Sequence, residues 1–456
     1  FGSRDKPPPS GRASAHGRAC LARRHCPSRT RRPPAMGGVA AEKIPAPRAC
    51  GPQGDMSGDK IPRGKPSASP AAATKVPTVA EIRAAIPKEC FEYSLAHSFF
   101  LIFRDAGVMA AVFLLFNSVL RTPGLSPEPL AIWEWMGWAV YGFVQGSAMV
   151  GWWVLAHECG HGAFSPHRTL NDAVGWVLHS ALLVPYFSWQ YSHGKHHSKT
   201  NNLIDGETHV PETRESLRQV GFERLHDMFG EDVFAVWELF THLVVGWPVY
   251  LICNVTGGRR LKGEALEKPV PYKLGMVDHF RPGSPLFPET WRIRIMLSTL
   301  GVSITLFALG FATKRFGWSA VLVQYVVPYM VANSWLVLYT WLQHTDPNLP
   351  HYGEDEWTWV KGALCTIDRP YGIFDWMHHH IGSTHVCHHL FSTLPCYHAV
   401  EATKHLKAFL EPRGFYNYDP TPLPRAAWRV AKTCHFVEDT RGVQYYKSFG
   451  SKPKSQ

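Results

Sequence analysis

Apolar residues collect along this chain into four blocks of about twenty, the length that carries a helix across the hydrocarbon core of a bilayer. They fall at 99–120 ("FFLIFRDAGVMAAVFLLFNSVL"), Trp135–Ala156, Ile295–Thr313 and Trp318–Leu342. Trp133, Trp135, Trp318 and Trp341 lie at their ends, where an interfacial aromatic belt would put them. In the first block Arg104 and Asp105 must sit near one interface or pair with each other. Two further apolar runs, Ala173–Trp189 and Val233–Ile252, carry His179 and Pro185, and Glu238, His242 and Pro248. Ionisable groups inside a span are expensive, so each run is expected to be an interfacial helix or a re-entrant hairpin.

Charge adds a side to this pattern. Between His157 and Trp291 stand twelve Lys/Arg, whereas the 122–132 loop has none. The positive-inside rule then puts 157–291 in the cytosol, with Lys314 and Arg315 as an unexplained exception. The net charge of +11 does not indicate a nucleic-acid binder, because residues 1–50 hold eleven Lys/Arg against Asp5 and Glu42 and so account for +9 of it. This Arg-, Pro-, Ser- and Gly-rich leader is expected to be disordered. It begins with Phe1, with Met36 and Met56 as alternative starts, and an organelle transit peptide is the other reading. The ten cysteines show no CxxC pair, which suits free thiols in a reducing compartment.

The chemistry lies in histidines. "HECGH" holds His157 and His161, "HGKHH" holds His193, His196 and His197, and "HVCHH" holds His385, His388 and His389. Spacings of three and four residues gather imidazoles on one helix face. Neutral imidazole suits zinc, iron, copper or nickel. Eight histidines exceed the three protein ligands of a catalytic zinc, and suit two metal ions with open positions left for an oxidant. Without a thiolate or carboxylate set, a pair of irons is the inference. His344 in "WLQHTDP" is a ninth candidate. Glu158, His379 and His380 are candidates to orient the ligands, and no catalytic residue is expected apart from the metal ligands. His179, His242, His351 and His398 are read as ordinary polar residues.

One site requires all three boxes on one side of the bilayer. Ala173–Trp189 must therefore dip in and return or lie flat, and Val233–Ile252 must not cross singly. The expected fold is an all-α polytopic membrane protein with four transmembrane helices, interfacial or re-entrant helices, and a cytosolic helical cap carrying a histidine-rich di-metal site. Its divisions are the leader 1–74, a cytosolic segment 75–98, the membrane region 99–345 with boxes one and two, and the cap 346–456 with box three. Asn254 in "NVT" is a glycosylation sequon that this topology keeps from the lumen.

The boxes in this order resemble membrane fatty acid desaturases, of the microsomal acyl-lipid class that includes the Δ12 (omega-6) oleate and omega-3 enzymes. "IRAAIPKECFEYS", "GETHVP", "WLQHTDPNLPHY" and "HHLFSTLPCYHAVEATKHLK" extend the likeness over roughly 78–445. "HLFSTLP" and "GETHVP" look more like Δ12 members, and Gly162 stands where plant members often have a further histidine. The resemblance implies two irons bound by His157, His161, His193, His196, His197, His385, His388 and His389, with His344 as a further ligand. It also implies dioxygen, an oleoyl chain carried on a phospholipid, and conversion to linoleoyl. No HPGG motif occurs, so electrons must come from separate cytochrome b5 and its reductase. The implied address is the endoplasmic reticulum membrane rather than a plastid membrane, and Lys452 and Lys454 in "KPKSQ" resemble a retrieval signal. The rivals are an omega-3 desaturase, a hydroxylase, epoxygenase or conjugase on the same scaffold, and an intramembrane zinc protease using His157, Glu158 and His161.

Overall fold

The computed structural model describes residues 75–450 apart from 127, 259, 262–263 and 266–276, so the leader, Met36, Met56, Lys452 and Lys454 lie outside the described residues. Helix α1, Leu95–Val119, starts at Ser94, whose hydroxyl accepts the amide of His97. Helix α2 is Ile132–His161, and its thirty residues would span about 45 Å. That exceeds a hydrocarbon core of about 30 Å, so the helix is long enough to extend past the apolar layer. Gly162 ends the helix with φ 77, a left-handed conformation that glycine adopts without strain.

Arg104 and Asp105 pair. Asp105 is buried, receives Arg104 at 2.6 Å, and meets His379 Nε2 at 2.8 Å. Gly151 on α2 makes room, since a Cβ there would stand 2.6 Å from Asp105 Oδ2. The pair is thus satisfied inside the protein rather than against lipid, which is how a membrane helix tolerates it.

The run Ala173–Trp189 dips and returns. Helix α3, Arg168–Ala181, descends beside the helix that follows in the membrane: Trp176 Nε1 donates to Leu297 O (2.8 Å) and Ser180 O accepts from Thr305 Oγ1 (2.8 Å). The chain turns at Leu183 (φ 55) and climbs as helix α4, Tyr186–Ser198, where the Phe187 amide reaches Ser298 Oγ at 2.8 Å.

Among the described residues five helices are long and apolar enough to cross, one more than the four expected: α1, α2, α5 (Glu231–Cys253), α6 (reaching Phe316 from Glu289) and α7 (Trp318–His344). The addition is α5, with a wide turn at Thr241–Val245. Length alone does not make it a crossing. Ala235 near its start shares an apolar cluster with Trp341 and Leu342, beside His344. At its other end Tyr250 Oη donates to Glu207 Oε1 (3.3 Å), and Leu251 O accepts the His279 amide (2.9 Å). Glu207 and His279 in turn bond to His196 and Ser192. Both ends of α5 therefore meet the histidine end of the molecule. Glu238 and His242 in its middle are internally placed, with the His242 ring stacked on Trp341 at 4.5 Å and Nδ1 donating to Glu238 O. Asn254, at φ 52, closes α5 and is buried.

The pairs α1/α2 and α6/α7 each leave from and return to that end. Helices α2 and α7 pack closely because Gly146 has no side chain, and a Cβ there would lie 2.4 Å from Pro328 O. Phe103, Leu114, Phe307 and Phe311 are exposed on the outer faces, as lipid-facing residues are. Beyond α7 the cap contains helices α8 (His385–Leu390), α9 (Cys396–Leu410) and α10 (Leu423–Thr433). Arg369, wholly buried, ties it to the end of α7 through Leu342 O (3.0 Å), Asp346 and Asp419, and Arg429 bonds both acids.

Candidate metal centre

The ends of α2, α4, α7 and α8 bring nine imidazoles together as two groups. His157, His161, His193, His197 and His388 form one, with one ligand-capable atom from each lying within 4.8 Å of the others. His196, His344 and His389 form the second, and His385 Nε2 joins it 3.2 Å from His344 Nε2. Helical phase explains the sorting. His193 and His197, four apart on α4, face one group, while His196, rotated by about 60° from His193 and about 100° from His197, faces the other. Box three divides likewise, with His388 apart from His385 and His389.

Hydrogen bonding among the rings cannot account for this. His197 Nε2 stands 3.1 Å from His193 Nε2 and 3.1 Å from His388 Nε2. An imidazole nitrogen has one lone pair or one N–H, so it cannot satisfy two such neighbours. In the second group His196 Nδ1–H donates to Glu207 O (2.8 Å) and His385 Nδ1–H to Ile381 O (3.1 Å). Their Nε2 lone pairs therefore both point at His344 Nε2, 3.2 Å from each. Two imidazole nitrogens about 2.0–2.1 Å from one cation stand about 3.0–3.4 Å apart. The donor set fits a metal in each group.

The surroundings keep the rings neutral and fixed. Burial holds His196 down at about 4 and His385 at about 3, so both offer lone pairs at neutral pH. Thr200, four residues after His196, donates its hydroxyl to His196 O (2.8 Å) and accepts His389 Nδ1–H (3.1 Å), which leaves His389 Nε2 to the group. Trp189 stacks on His193 at 4.4 Å, and Trp153 lies over His157 at 5.7 Å. Asp368 accepts the Val386 amide at 2.8 Å and so anchors α8; burial raises its carboxyl to about 7. Thr200, Glu207 and Asp368 carried no signal of their own in the sequence, because the ring or amide that each meets is brought to it by the fold and not by a fixed spacing.

Glu158 Oε1 lies 3.2 Å from His157 Nδ1, on the side of the ring away from the clustered nitrogens. A hydrolytic base would have to face the metal side. His379 turns to Asp105 and Arg104, and His380 to Ser383, so the bonds of both go to residues outside the nine. Of the four histidines read as ordinary, His179 bonds Trp153 O and His242 its own helix, whereas His351 sits in a strand pair with Val443–Gln444.

The sequence profile described as fatty acid desaturase matches residues 133–420. The chain is 40% identical over 375 residues to a Delta(12) fatty acid desaturase of Calendula officinalis, covering 81% of this chain and 91% of that one. It is 39% identical over 376 residues to an omega-6 fatty acid desaturase, endoplasmic reticulum, of Brassica juncea, with the same coverage of 81% and 91%. An oleate hydroxylase of Claviceps purpurea is 38% identical over 399 residues, covering 83% of each.

Proposed function

The chain belongs to the fatty acid desaturase family, and from that premise we propose that it inserts a cis double bond at the Δ12 position of phospholipid-bound oleoyl chains. The observation that carries this reading is the convergence of nine imidazoles in two groups at one end of a bundle of apolar helices. We assign one iron to His157, His161, His193, His197 and His388, and the other to His196, His344, His385 and His389. When bound, the pair supplies with dioxygen the oxidising power needed to take two hydrogens from adjacent unactivated methylenes. Two carrier electrons and two protons complete the reduction of dioxygen to two waters.

The protein's own residues bind, orient and exclude water. Met149, Val150 and Trp153 on α2 cluster with Leu182, Val184, Trp335 and Leu336 to make the apolar environment that an acyl chain needs. Trp153 and Trp189 cover imidazole faces on that side. Glu207 O, Ile381 O and Thr200 fix ring tautomers, and Glu158 stands where it would orient His157. Cytochrome b5 with its reductase is the assigned electron source, the endoplasmic reticulum membrane the location, and the cytosolic face the side of the boxes. The lysine- and arginine-rich 157–291 region supports that side.

Expression in yeast lacking polyunsaturated lipids tests the reading. Linoleate is the expected product in gas chromatography of total lipids. The second reading, an oleate hydroxylase, is favoured by the similarity to the Claviceps enzyme; accumulation of a 12-hydroxy acid would replace the first with it. An omega-3 product would overturn the Δ12 assignment. One zinc per purified chain, with no iron, would turn the reading toward the protease instead.

A further inference from the structure

The four-histidine group has no imidazole edge at the surface, since His196, His344, His385 and His389 are all buried. One short bonded path nevertheless leads out of it. Thr200 holds His389 Nδ1 through its side chain at 3.1 Å, and its carbonyl accepts the Nε1–H of Trp357 at 2.9 Å. Space is reserved for this second bond: a Cβ on Gly362 would lie 2.2 Å from Thr200 O and 2.8 Å from Trp357 Nε1. The Trp357 ring is only partly buried, and Lys199 Nζ stands 4.8 Å from its centroid. Tyr250 also reaches this group, through Glu207, but is itself buried. Among the described residues, Trp357 joins an aromatic ring, partial exposure and a single residue separating it from a ligand-capable imidazole.

We propose that Trp357 is the port through which electrons from a reduced haem carrier protein enter the four-histidine site, the route running from the indole through Thr200 to His389. This inference rests on the di-iron reading given above. Each encounter oxidises one ferrous carrier to ferric and reduces one metal ion by one electron, and two encounters supply the carrier's share of the four electrons that convert dioxygen to water. The indole is a conduit and is not consumed. Trp357 is therefore a positioning and electron-transfer residue, one that touches neither substrate nor metal.

The test compares the purified full chain with Trp357→Phe, which keeps a ring and loses the hydrogen bond, and Trp357→Leu, which loses both. Iron per chain is measured first, then the reoxidation of reduced cytochrome b5 by stopped-flow absorbance, then reduction of the same samples by dithionite. Expected are full iron in all three, unchanged dithionite reduction, and carrier reoxidation slowed about tenfold or more in Trp357→Leu, about 1.4 kcal/mol of barrier. Trp357→Phe should fall between. Carrier reoxidation at the wild-type rate in Trp357→Leu would overturn the port. So would iron loss in both variants, or equal slowing with both reductants, because either outcome makes the indole a structural support. An iron-free wild-type protein would instead remove the di-iron reading itself.

Discussion

The two histidine groups are built by different means. In the four-histidine group, His196, His344, His385 and His389 are buried at 2–5% exposure, and three of the four outer nitrogens are bound by Glu207 O, Ile381 O and Thr200. In the five-histidine group, His161 and His193 remain partly exposed, and the rings lean on Trp153, Trp189 and Glu158. The first is fixed by hydrogen bonds, two of them to backbone carbonyls that cannot rotate away and one to the Thr200 hydroxyl; the second is held by ring packing and has an open edge. On the di-iron reading proposed above, ligand exchange and the approach of small reactants would belong at the open group.

Four experiments would break or sharpen this contrast. The largest effect is expected from the ligands themselves. His196→Ala and His388→Ala should each take linoleate below detection in yeast, and each should lose about one of two irons by mass spectrometry, since each belongs to one group. Loss of both irons from either variant would mean that the groups do not hold metal independently. Next, Arg369→Ala leaves Asp346 and Asp419 with Arg429 as their shared cation and strips Leu342 O of its donor, and should destabilise the cap by about 1–3 kcal/mol. Denaturant unfolding followed by cap fluorescence would read that loss. Thr200→Val removes the acceptor for His389 Nδ1–H, and should weaken metal binding at the closed group by about 10- to 100-fold. Competition with a graded series of chelators measures this, and the same series on wild type should strip the open group first.

The smallest effect lies outside both groups. His435 donates Nε2–H to Ala431 O, accepts the Phe449 amide at Nδ1, and is held by burial at about 4. A histidine kept neutral in the fold stabilises it above its unfolded value of about 6.5, and that contribution is lost as pH falls toward about 4. Hydrogen exchange in 434–450 should accelerate over that window. Iron content should not change until lower pH, because His196 and His385 answer to metal as well as to burial.

Much of this was legible in the chain. The box histidines stood out as candidates because spacing on a helix is a local property that one turn suffices to set, and His344 because it stands at the end of the fourth span. The four main spans were legible because lipid demands about twenty apolar residues in sequence. The dip at Ala173–Trp189 followed from a counting argument that needs only one site on one side. The fifth long helix did not follow so simply. Glu231–Cys253 has the length and apolarity of a span, and only its contacts at both ends with the histidine layer show that it does not cross. His379 was drawn toward the metal by its neighbours in sequence, yet it bonds Asp105, 274 positions away.

The sequence by itself determined which residues could ligate, where the four main spans lie, and which family they resemble, because helical period and hydropathy act over one to six turns. Which of the two imidazole groups is closed by hydrogen bonds and which keeps an open edge was decided by tertiary structure. It depends on where Glu207 O, Ile381 O and Thr200 Oγ1 arrive, and backbone carbonyls are common to every residue, so no pattern of side chains announces which of them will meet a ring.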